Sequence, residues 1–429
     1  MLIEFKVTNF RSIKETQTLS MVAGNATKDK ELGSNTFESG ITNLPSLVRS
    51  AVIYGPNASG KSNLIAALAF MQGMVRESAR EAQVGEPIEI NPFRLDAASR
   101  NEDTEFEIHF ISENVRYQYG FSLNAERIKS EWLTAYPNGK AQNWFERQYD
   151  TSTERYEYQF SPSFSEGKAR QERAKYTIAN NLYLSVAVQK NSQQLLPAFT
   201  WFQKKLNYIL SMNHLSDGRT SRMCQDTEGK KEVLAFMNAA GIGVKDFRVD
   251  VDKALFTLND LPADFPDEFK QKVLKDMEGH VSFDTKFLYQ SNDTKELIPF
   301  DMTDESDGTR ALFSFVVPWL EMIKNDEIVF VDEIDTSLHP LLVHHLVKLL
   351  NCSTSRAQLV FTTHDTTLLS QRIMRTDQVW FVEKDQQQST QLYSLADFSP
   401  RKNDALEKGY LNGRYGAIPF LSELDFDGE

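Results

Sequence analysis

The sequence is poor in cysteine, in long apolar runs and in positive charge. Its two cysteines, Cys224 and Cys352, lie far apart and in no metal-ligand spacing, which favours a reduced, cytoplasmic setting. The longest apolar run, residues 311–323, is too short to span a bilayer, and the charged, alternating N-terminus does not resemble a signal peptide. We therefore expect a soluble cytoplasmic protein without a membrane segment.

The chain also lacks a basic surplus. Its 47 Lys and Arg residues are outnumbered by 60 Asp and Glu residues, which gives a formal net charge of −13. This balance argues against a protein coated in phosphate-binding basic residues, although a local basic groove stays possible. With 429 residues, of which 41% are apolar, the chain is long enough for two or three structural units with a sizeable core.

Hydrophobic periodicity divides the chain into five regions. Residues 1–84 hold alternating strand-like segments, a glycine-rich loop and an apolar helix, and residues 85–165 predict aromatic-rich antiparallel strands. Residues 166–300 have apolar positions at helical spacing and predict a mostly helical insertion. Residues 301–400 return to alternating helix and strand, and residues 401–429 form a tail. The pattern predicts an α/β fold with a mixed sheet, an antiparallel β lobe and a helical insertion.

The stretch IYGPNASGKSNL, residues 53–64, joins an apolar strand-like run to an apolar helix-like run. Gly55, Gly60, Lys61 and Ser62 form the pattern G-x-x-x-x-G-K-S, whose glycines turn backbone N–H groups toward phosphates. A helix that starts near Lys61 adds its positive end, Lys61 adds a charge, and Ser62 is a candidate Mg²⁺ ligand. The alternative is a chance match in a glycine-rich loop, and the order of strand, loop and helix argues against it. The candidate nucleotide-binding residues are Gly55, Pro56, Asn57, Ala58, Ser59, Gly60, Lys61 and Ser62.

A second strand-like run, IVFVDE at 328–333, ends in two acids. Buried charges need partners, so two carboxylates at this point are unexpected in a merely structural strand. We predict that Asp332 holds Mg²⁺ directly or through water. We predict that Glu333 is the catalytic residue that polarises the attacking water.

Two shorter motifs complete the candidate site. ESDGTR at 305–310 offers Ser306, Asp307, Gly308 and Thr309 before an apolar helix, where a hydroxyl and a helix N-terminus can grip a γ-phosphate. The alternative is an ordinary capping turn, for which these residue types are also favoured. LVFTTHD at 359–365 ends an apolar strand with His364, which is either a capped surface residue or a catalytic group that stabilises charge on the γ-phosphate.

The ordered set NFRS, GPNASGKS, SDGT, VFVDEIDTSLHP and TTHD resembles ABC-class ATPases of the RecF, SMC and OLD type, over about residues 1–75 and 300–385. Asp332 follows Lys61 by 271 positions, and a large insertion between the two halves of the site is typical of that class. The resemblance implies an ABC-type ATPase head, ATP and Mg²⁺ as cofactors, and a homodimer or higher homo-oligomer that closes on composite ATP sites. It also implies that Arg11 lies close to the nucleotide and that Asp335 lies in a loop contacting the second subunit.

The tail YLNGRYGAIPFL, residues 410–421, resembles a narrower group, the RloA and AbiL-type ATPases associated with phage defence. The alternative, which we favour for the aromatic residues, is a packing hook with Arg414 paired to an acid or a phosphate. The hook residues that would bury apolar area are Tyr410, Leu411, Tyr415, Ile418 and Phe420. The chain departs from the wider family in three ways. It has no SMC coiled coil, no Toprim nuclease set after His364, and no glutamine at the expected loop, residues 91–96.

These patterns predict an ATP-hydrolysing, ABC-class ATPase that dimerises around ATP and controls a separate effector protein. The setting implied by the resemblance is bacterial anti-phage defence by abortive infection. One alternative is a RecF-like DNA repair or replication ATPase that clamps DNA, although nucleic-acid binding is not favoured by the charge. Another is a scaffold whose ATP sites lock an assembly and turn over rarely. A co-purifying effector would favour effector control. A basic surface would favour the DNA-clamping ATPase, and negligible ATP turnover would favour the scaffold.

Overall fold

The computed structural model describes residues 1–24, 32–212, 215–252, 282–370, 373–401 and 404–419. The chain divides into two compact units. The first comprises Met1–Ser211, Glu321–Asp335 and Val343–Glu429, and the second comprises Met212–Leu320 and Thr336–Leu342.

The described strands and helices are numbered in chain order. The strands are β1 (Leu2–Thr8), β2 (Gln17–Ser20), β3 (Thr36–Phe37), β4 (Leu47–Val48), β5 (Ser50–Tyr54), β6 (Thr104–Ser112), β7 (Val115–Leu123), β8 (Ile128–Tyr136), β9 (Gln142–Asp150), β10 (Arg155–Phe160), β11 (Leu206–Ile209), β12 (Asp246–Asp252), β13 (Ser282–Gln290), β14 (Leu297–Asp301), β15 (Ile328–Val331), β16 (Gln358–Thr362), β17 (Val379–Lys384) and β18 (Thr390–Ser394). The helices are α1 (Lys61–Glu81), α2 (Ala169–Tyr176), α3 (Tyr183–Gln189), α4 (Leu196–Lys204), α5 (Gly218–Met223), α6 (Thr227–Ala239), α7 (Asp307–Asn325), α8 (Pro340–Asn351), α9 (Thr367–Ser370) and α10 (Leu406–Leu411). Among these described helices, none is both long enough and apolar enough to cross a membrane.

The first unit contains a seven-stranded antiparallel sheet in the order β10-β9-β8-β7-β6-β1-β2. Its strands alternate buried and half-exposed positions, as in β1, where Phe5 and Val7 are fully buried between polar neighbours. This period of two gives the sheet one apolar face. The predicted antiparallel lobe is therefore present, and it is larger than expected because β1 and β2 from the N-terminus join it.

The second sheet of this unit has six strands in the order β11-β15-β16-β5-β17-β18, parallel except for β18. All residues of β5, β15 and β16 are buried, which is typical of parallel strands covered on both faces. Apolar side chains of both sheets and of α1, α3 and α4 join in one buried cluster. The predicted α/β fold with a mixed sheet is thus confirmed.

The second unit contains the three-stranded antiparallel sheet β12-β13-β14 together with α5 and α6. The rings of Phe247, Phe287 and Phe313 contact one another with centroids 5.1–5.2 Å apart. Helix α6 begins after Asp226, whose carboxylate accepts hydrogen bonds from the backbone N–H groups of Glu228 and Gly229.

Residues 166–300 are less helical than expected. The described part contains α2–α6, but also β11 to β13 and most of β14. Leu206 and Ile209, which continue a helical pattern in sequence, instead pair in parallel with Ile328 and Val331. The backbone hydrogen bonds to β15 and the burial of both side chains outweigh the local helix propensity, so these residues form a strand.

The tail packs as the hook hypothesis expects. Tyr410 and Tyr415 are buried, and their rings stack on Phe381 with centroids 5.3 and 6.0 Å away. Arg414 forms an ion pair with Asp404 at 3.3 Å. Leu411, also assigned to the hook, is 59% exposed, because it faces outward at the end of the short helix α10. Residues 420 and 421 lie outside the described residues.

Candidate functional site

The glycine-rich loop connects the end of β5 to the start of α1, as its sequence predicts. Gly60, the residue before α1, has φ 112°, and a Cβ there would lie 2.2 Å from Thr390 Oγ1. A Cβ on Gly55 would lie 2.3 Å from the carbonyl oxygen of Val382. Only glycine fits either position, so the close approach of the loop backbone to Val382 and Thr390 depends on these two glycines. The side-chain Oγ of Ser59 is buried and has no hydrogen-bond partner in the described part of the chain.

Lys61 lies folded over this loop. Its Nζ donates hydrogen bonds to the carbonyl oxygens of Gly55 (2.8 Å) and Pro56 (3.1 Å). Burial lowers the pKa of Lys61, and the nearby carboxylates of Glu333 and Asp332 act in the opposite direction. Strands β5 and β15 both pair in parallel with β16, so the loop that carries Lys61 and the two acids assigned to metal binding and catalysis follow the same edge of the sheet.

The two acids stand at the carboxyl end of β15, beside the end of β16. Thr362 Oγ1 donates to Asp332 Oδ1 at 2.6 Å and accepts from the backbone N–H of Glu333 at 2.7 Å. Asp332 is 8% exposed, whereas Glu333 is exposed and has φ 51°. A non-glycine residue in this left-handed region is strained, and such strain is common where a side chain must point in a set direction. Thr362 thus holds the carboxylate of Asp332 and the backbone of Glu333 through one hydroxyl.

Thr362 was not among the residues that sequence reasoning selected. It belongs to the TTHD motif, in which only His364 was assigned a role. The backbone N–H of His364 donates to Asp335 Oδ2 at 3.1 Å, and the His364 side chain is exposed. The polar residues that end an apolar strand were the available signal for Thr362.

Arg11 is linked to the loop by a chain of side-chain hydrogen bonds. Arg11 Nη1 donates to Asn63 Oδ1 (3.5 Å), and Asn63 Nδ2 donates to Ser12 Oγ (2.7 Å). Ser12 Oγ lies 2.8 Å from Thr390 Oγ1, which donates to the carbonyl oxygen of Ser59 at 2.8 Å. Ser12, Asn63 and Thr390 are further residues that the sequence did not single out.

A cleft of about 480 Å³ opens beside this chain of hydrogen bonds. It is lined by the cationic side chains of Arg11, Arg94 and Lys384, which suits an anionic ligand. Its lining residues include Arg11, Asn63, Phe93, Arg94, Lys384 and Gln388.

The SDGT motif belongs to the second unit and forms a capping turn at the start of α7. Ser306 Oγ accepts from the backbone N–H of Thr309 at 3.2 Å and lies 3.0 Å from Thr309 Oγ1. Asp307 pairs with Arg310 on the helix surface. Ser306 therefore caps the helix, and the capping role and a phosphate-gripping role are compatible, because both use the helix N-terminus.

The residues at the strand ends fit a metal ion of the kind that accompanies nucleotides. No group of three or more His, Cys, Asp or Glu side chains suited to a metal occurs in the described ranges. Mg²⁺ at a phosphate site takes most of its ligands from phosphates and water and needs only one or two protein groups. The exposed hydroxyl of Ser62 and the carboxylate of Asp332 are oxygen donors of that kind.

Comparison with known proteins gives one family match. The model of a family described as "AAA domain, putative AbiEii toxin, Type IV TA system" matches residues 50–370. The match includes the glycine-rich loop, the SDGT motif, the acidic strand end and His364. A comparison with curated proteins finds no match.

Two solved structures are similar over nearly the whole chain. One is titled "Crystal structure of the SmcHead bound to the C-winged helix domain of ScpA"; it is 13% identical with a TM-score of 0.42, over 96% of this chain and 99% of that chain. The other is the SMC head domain from Thermotoga maritima, 12% identical with a TM-score of 0.39, over 92% of this chain and 98% of that chain.

Proposed function

The chain belongs to this family of AAA domains, and we propose that it is a Mg²⁺-dependent ATPase that dimerises around ATP. The observation that carries the proposal is that the tight glycine loop with Lys61 follows β5 and the acids Asp332 and Glu333 follow β15, the two parallel strands that flank β16. A phosphate-binding amine, a metal-binding carboxylate and a water-activating carboxylate are the three groups that phosphoryl transfer to water requires.

In this proposal each residue has a defined task. The loop N–H groups and Lys61 bind the β- and γ-phosphates, and the cleft beside Arg11 receives the nucleoside. Ser62 and Asp332 would hold the metal ion, which would supply positive charge to the phosphate oxygens. Thr362 positions the acids.

Glu333 accepts a proton from the water whose oxygen attacks the γ-phosphorus. The bond from that phosphorus to the bridging oxygen breaks, and ADP and phosphate are the products. His364 stabilises charge on the γ-phosphate from the end of β16. Ser306 and Gly308 of the partner subunit complete each site, so that ATP closes the dimer and hydrolysis opens it.

The work of this cycle is the control of a separate effector protein, in a phage-defence system of the RloA and AbiL type. The family description names a toxin–antitoxin system, and the chain's own acids at the site are committed to ATP. The net charge of −13 disfavours unaided, tight binding to DNA at physiological salt. The free cysteines, Cys224 and Cys352, suit a reduced compartment such as the cytoplasm.

The direct test is nucleotide binding and phosphate release by the purified chain. Lys61→Ala should lose ATP binding, with Lys140→Ala on an exposed turn as the matched control. Glu333→Gln should bind ATP but hydrolyse it at least ~100-fold more slowly and accumulate a dimer, with Glu157→Gln as the control. Unchanged ATP affinity in Lys61→Ala would remove the central claim. Tightly bound ATP without turnover in the wild type would favour the scaffold instead.

A further inference from the structure

A second cleft, of about 710 Å³, runs along the C-terminal half of α1. We call it the α1 cleft. Its apolar lining comes from Phe70, Met74, Pro87 and Ile88. It lies within the first unit and is lined by none of the residues assigned above to ATP. An apolar groove of this size beside a helix has the dimensions of a ligand or peptide site.

A glycine in the middle of α1 keeps this cleft open. Gly73 lines the cleft, and a Cβ built on it would meet no atom of the described residues within 4 Å. Glycine is among the poorest helix formers, and α1 has no tight contact at this point that would require it. The space beside Gly73 is therefore available to a side chain from another molecule.

A buried polar group in the cleft lacks a partner. Asn180 lines the cleft and is 4% exposed. Its Nδ2 donates to the carbonyl oxygens of Gln83 (2.8 Å) and Glu86 (3.0 Å), which fixes the orientation of the amide. Its Oδ1 accepts no hydrogen bond in the described part of the chain. Buried acceptors are normally paired, so Asn180 points to a missing hydrogen-bond donor.

The rim of the α1 cleft is negatively charged. Four glutamates line it, Glu77, Glu81, Glu86 and Glu89, and no lysine or arginine is among its described lining residues. Glu77 is partly neutralised by Arg76 and Arg80, whose nitrogens lie 3.7 and 3.4 Å away. The side chains of Glu81 and Glu89 form no ion pair or hydrogen bond with other described residues. The rim therefore favours a cationic ligand.

We infer that the α1 cleft docks a basic, amphipathic segment of a partner protein. Apolar side chains of that segment occupy the floor beside Gly73, and a lysine or arginine donates to Asn180 and faces the glutamates. A second copy of this chain would bring the same acidic rim into a two-fold contact, where like charges repel. Nucleic acid is disfavoured for the same electrostatic reason. The inference is independent of the ATP site, because no residue of the cleft is assigned to nucleotide.

The test uses two fluorescent peptides of about 14 residues, or four helical turns, with the same leucine positions. One carries lysine and the other glutamate at the remaining positions. The full chain should bind the Leu/Lys peptide, more weakly as salt rises, and should not bind the Leu/Glu peptide. Gly73→Leu should fill the cleft and weaken binding at least tenfold, or ~1.4 kcal/mol. Gly243→Leu is the matched control, since it also has open space around its Cβ position.

A second variant distinguishes a filled cleft from misfolding of Gly73→Leu. The double variant Glu81→Lys/Glu89→Lys should also weaken Leu/Lys binding at least tenfold, whereas Glu157→Lys/Glu232→Lys should leave it unchanged. Circular dichroism should show that Gly73→Leu keeps its helix content. The inference is overturned by the absence of Leu/Lys binding at ~100 μM, by equal binding of both peptides, or by binding that Gly73→Leu leaves unchanged. A change of oligomeric state in Gly73→Leu by light scattering would assign the cleft to a second copy instead, which also overturns it.

Discussion

Thr362→Val isolates the hydroxyl that holds the two strand-end acids. Valine has almost the shape of threonine, so the change removes two hydrogen bonds and little else. Asp332 Oδ1 loses a donor at 2.6 Å, and the backbone N–H of Glu333 loses an acceptor at 2.7 Å. Thr362 is fully buried, so water cannot easily replace the hydroxyl.

The size of the effect follows from these contacts. A hydrogen bond to a charged group contributes about 1.5–3 kcal/mol, and a neutral hydrogen bond such as that of the half-buried Glu333 N–H contributes about 0.5–1.5 kcal/mol. The added apolar group returns up to about 0.8 kcal/mol through burial. We expect Thr362→Val to lower the free energy of unfolding by about 2–4 kcal/mol. Misplacement of Asp332 and Glu333 should also slow ATP turnover by about 10–100-fold, or ~1.4–2.7 kcal/mol in the barrier.

Stability is measured by denaturant unfolding followed through tryptophan fluorescence, and turnover by phosphate release. Four of the five tryptophans lie in the first unit, so the signal reports mainly on the unit that holds Thr362. Thr362→Ser should recover most of both properties, because it restores the hydroxyl. Thr18→Val, at a half-buried strand position whose hydroxyl has no hydrogen bond to a described residue, should change stability by less than about 0.5 kcal/mol. Wild-type stability and turnover in Thr362→Val would refute the role of this hydroxyl.

The remaining predictions concern the ATP site shared between subunits, the pH dependence of Glu107 and nucleic-acid cleavage. Ser306→Arg and Lys61→Ala should each be inactive alone, yet mixed dimers should recover part of the ATPase activity, since one composite site stays intact; absence of rescue at every mixing ratio would argue against a site shared between subunits. Hydrogen bonds, led by that from His109, lower the pKa of Glu107 from 4.5 to about 2, so Glu107 stabilises the fold above pH 4.5 and loses this effect as pH falls to 2. Glu107→Gln should cost up to about 3 kcal/mol at pH 7, with a difference that shrinks below pH 4.5 in paired denaturation curves, and a constant difference would contradict the assignment. The chain purified free of partners should not cleave DNA, RNA or tRNA with Mg²⁺ or Mn²⁺, whereas cleavage abolished by a point mutation in this chain would place a nuclease within it.

The local sequence determined the elements whose conformation depends only on residues close to one another along the chain. The loop at 55–62 can only be a tight turn into a helix, because two glycines and a strong helix former stand in fixed order. The alternation in β6–β8 and the continuous apolar runs of β15 and β16 likewise specified their strand class, since one pattern buries one face and the other buries both. These signals depend on neighbours within a few positions, so a single sequence carries them.

Tertiary structure decided the features that depend on distant partners. Leu206–Ile209 became a strand because β15, more than a hundred positions later, offered it a ladder. Thr362 acquired its role because β16 lies beside β15, which places its hydroxyl between two acids. The α1 cleft exists because Asn180 and residues 82–90 fold back along a helix that, in sequence, shows only an ordinary apolar stripe. Hydrophobic periodicity indicates which side of a helix or strand is buried, but not which distant residues contact it there. The proposed chemistry of this protein depends on those tertiary contacts.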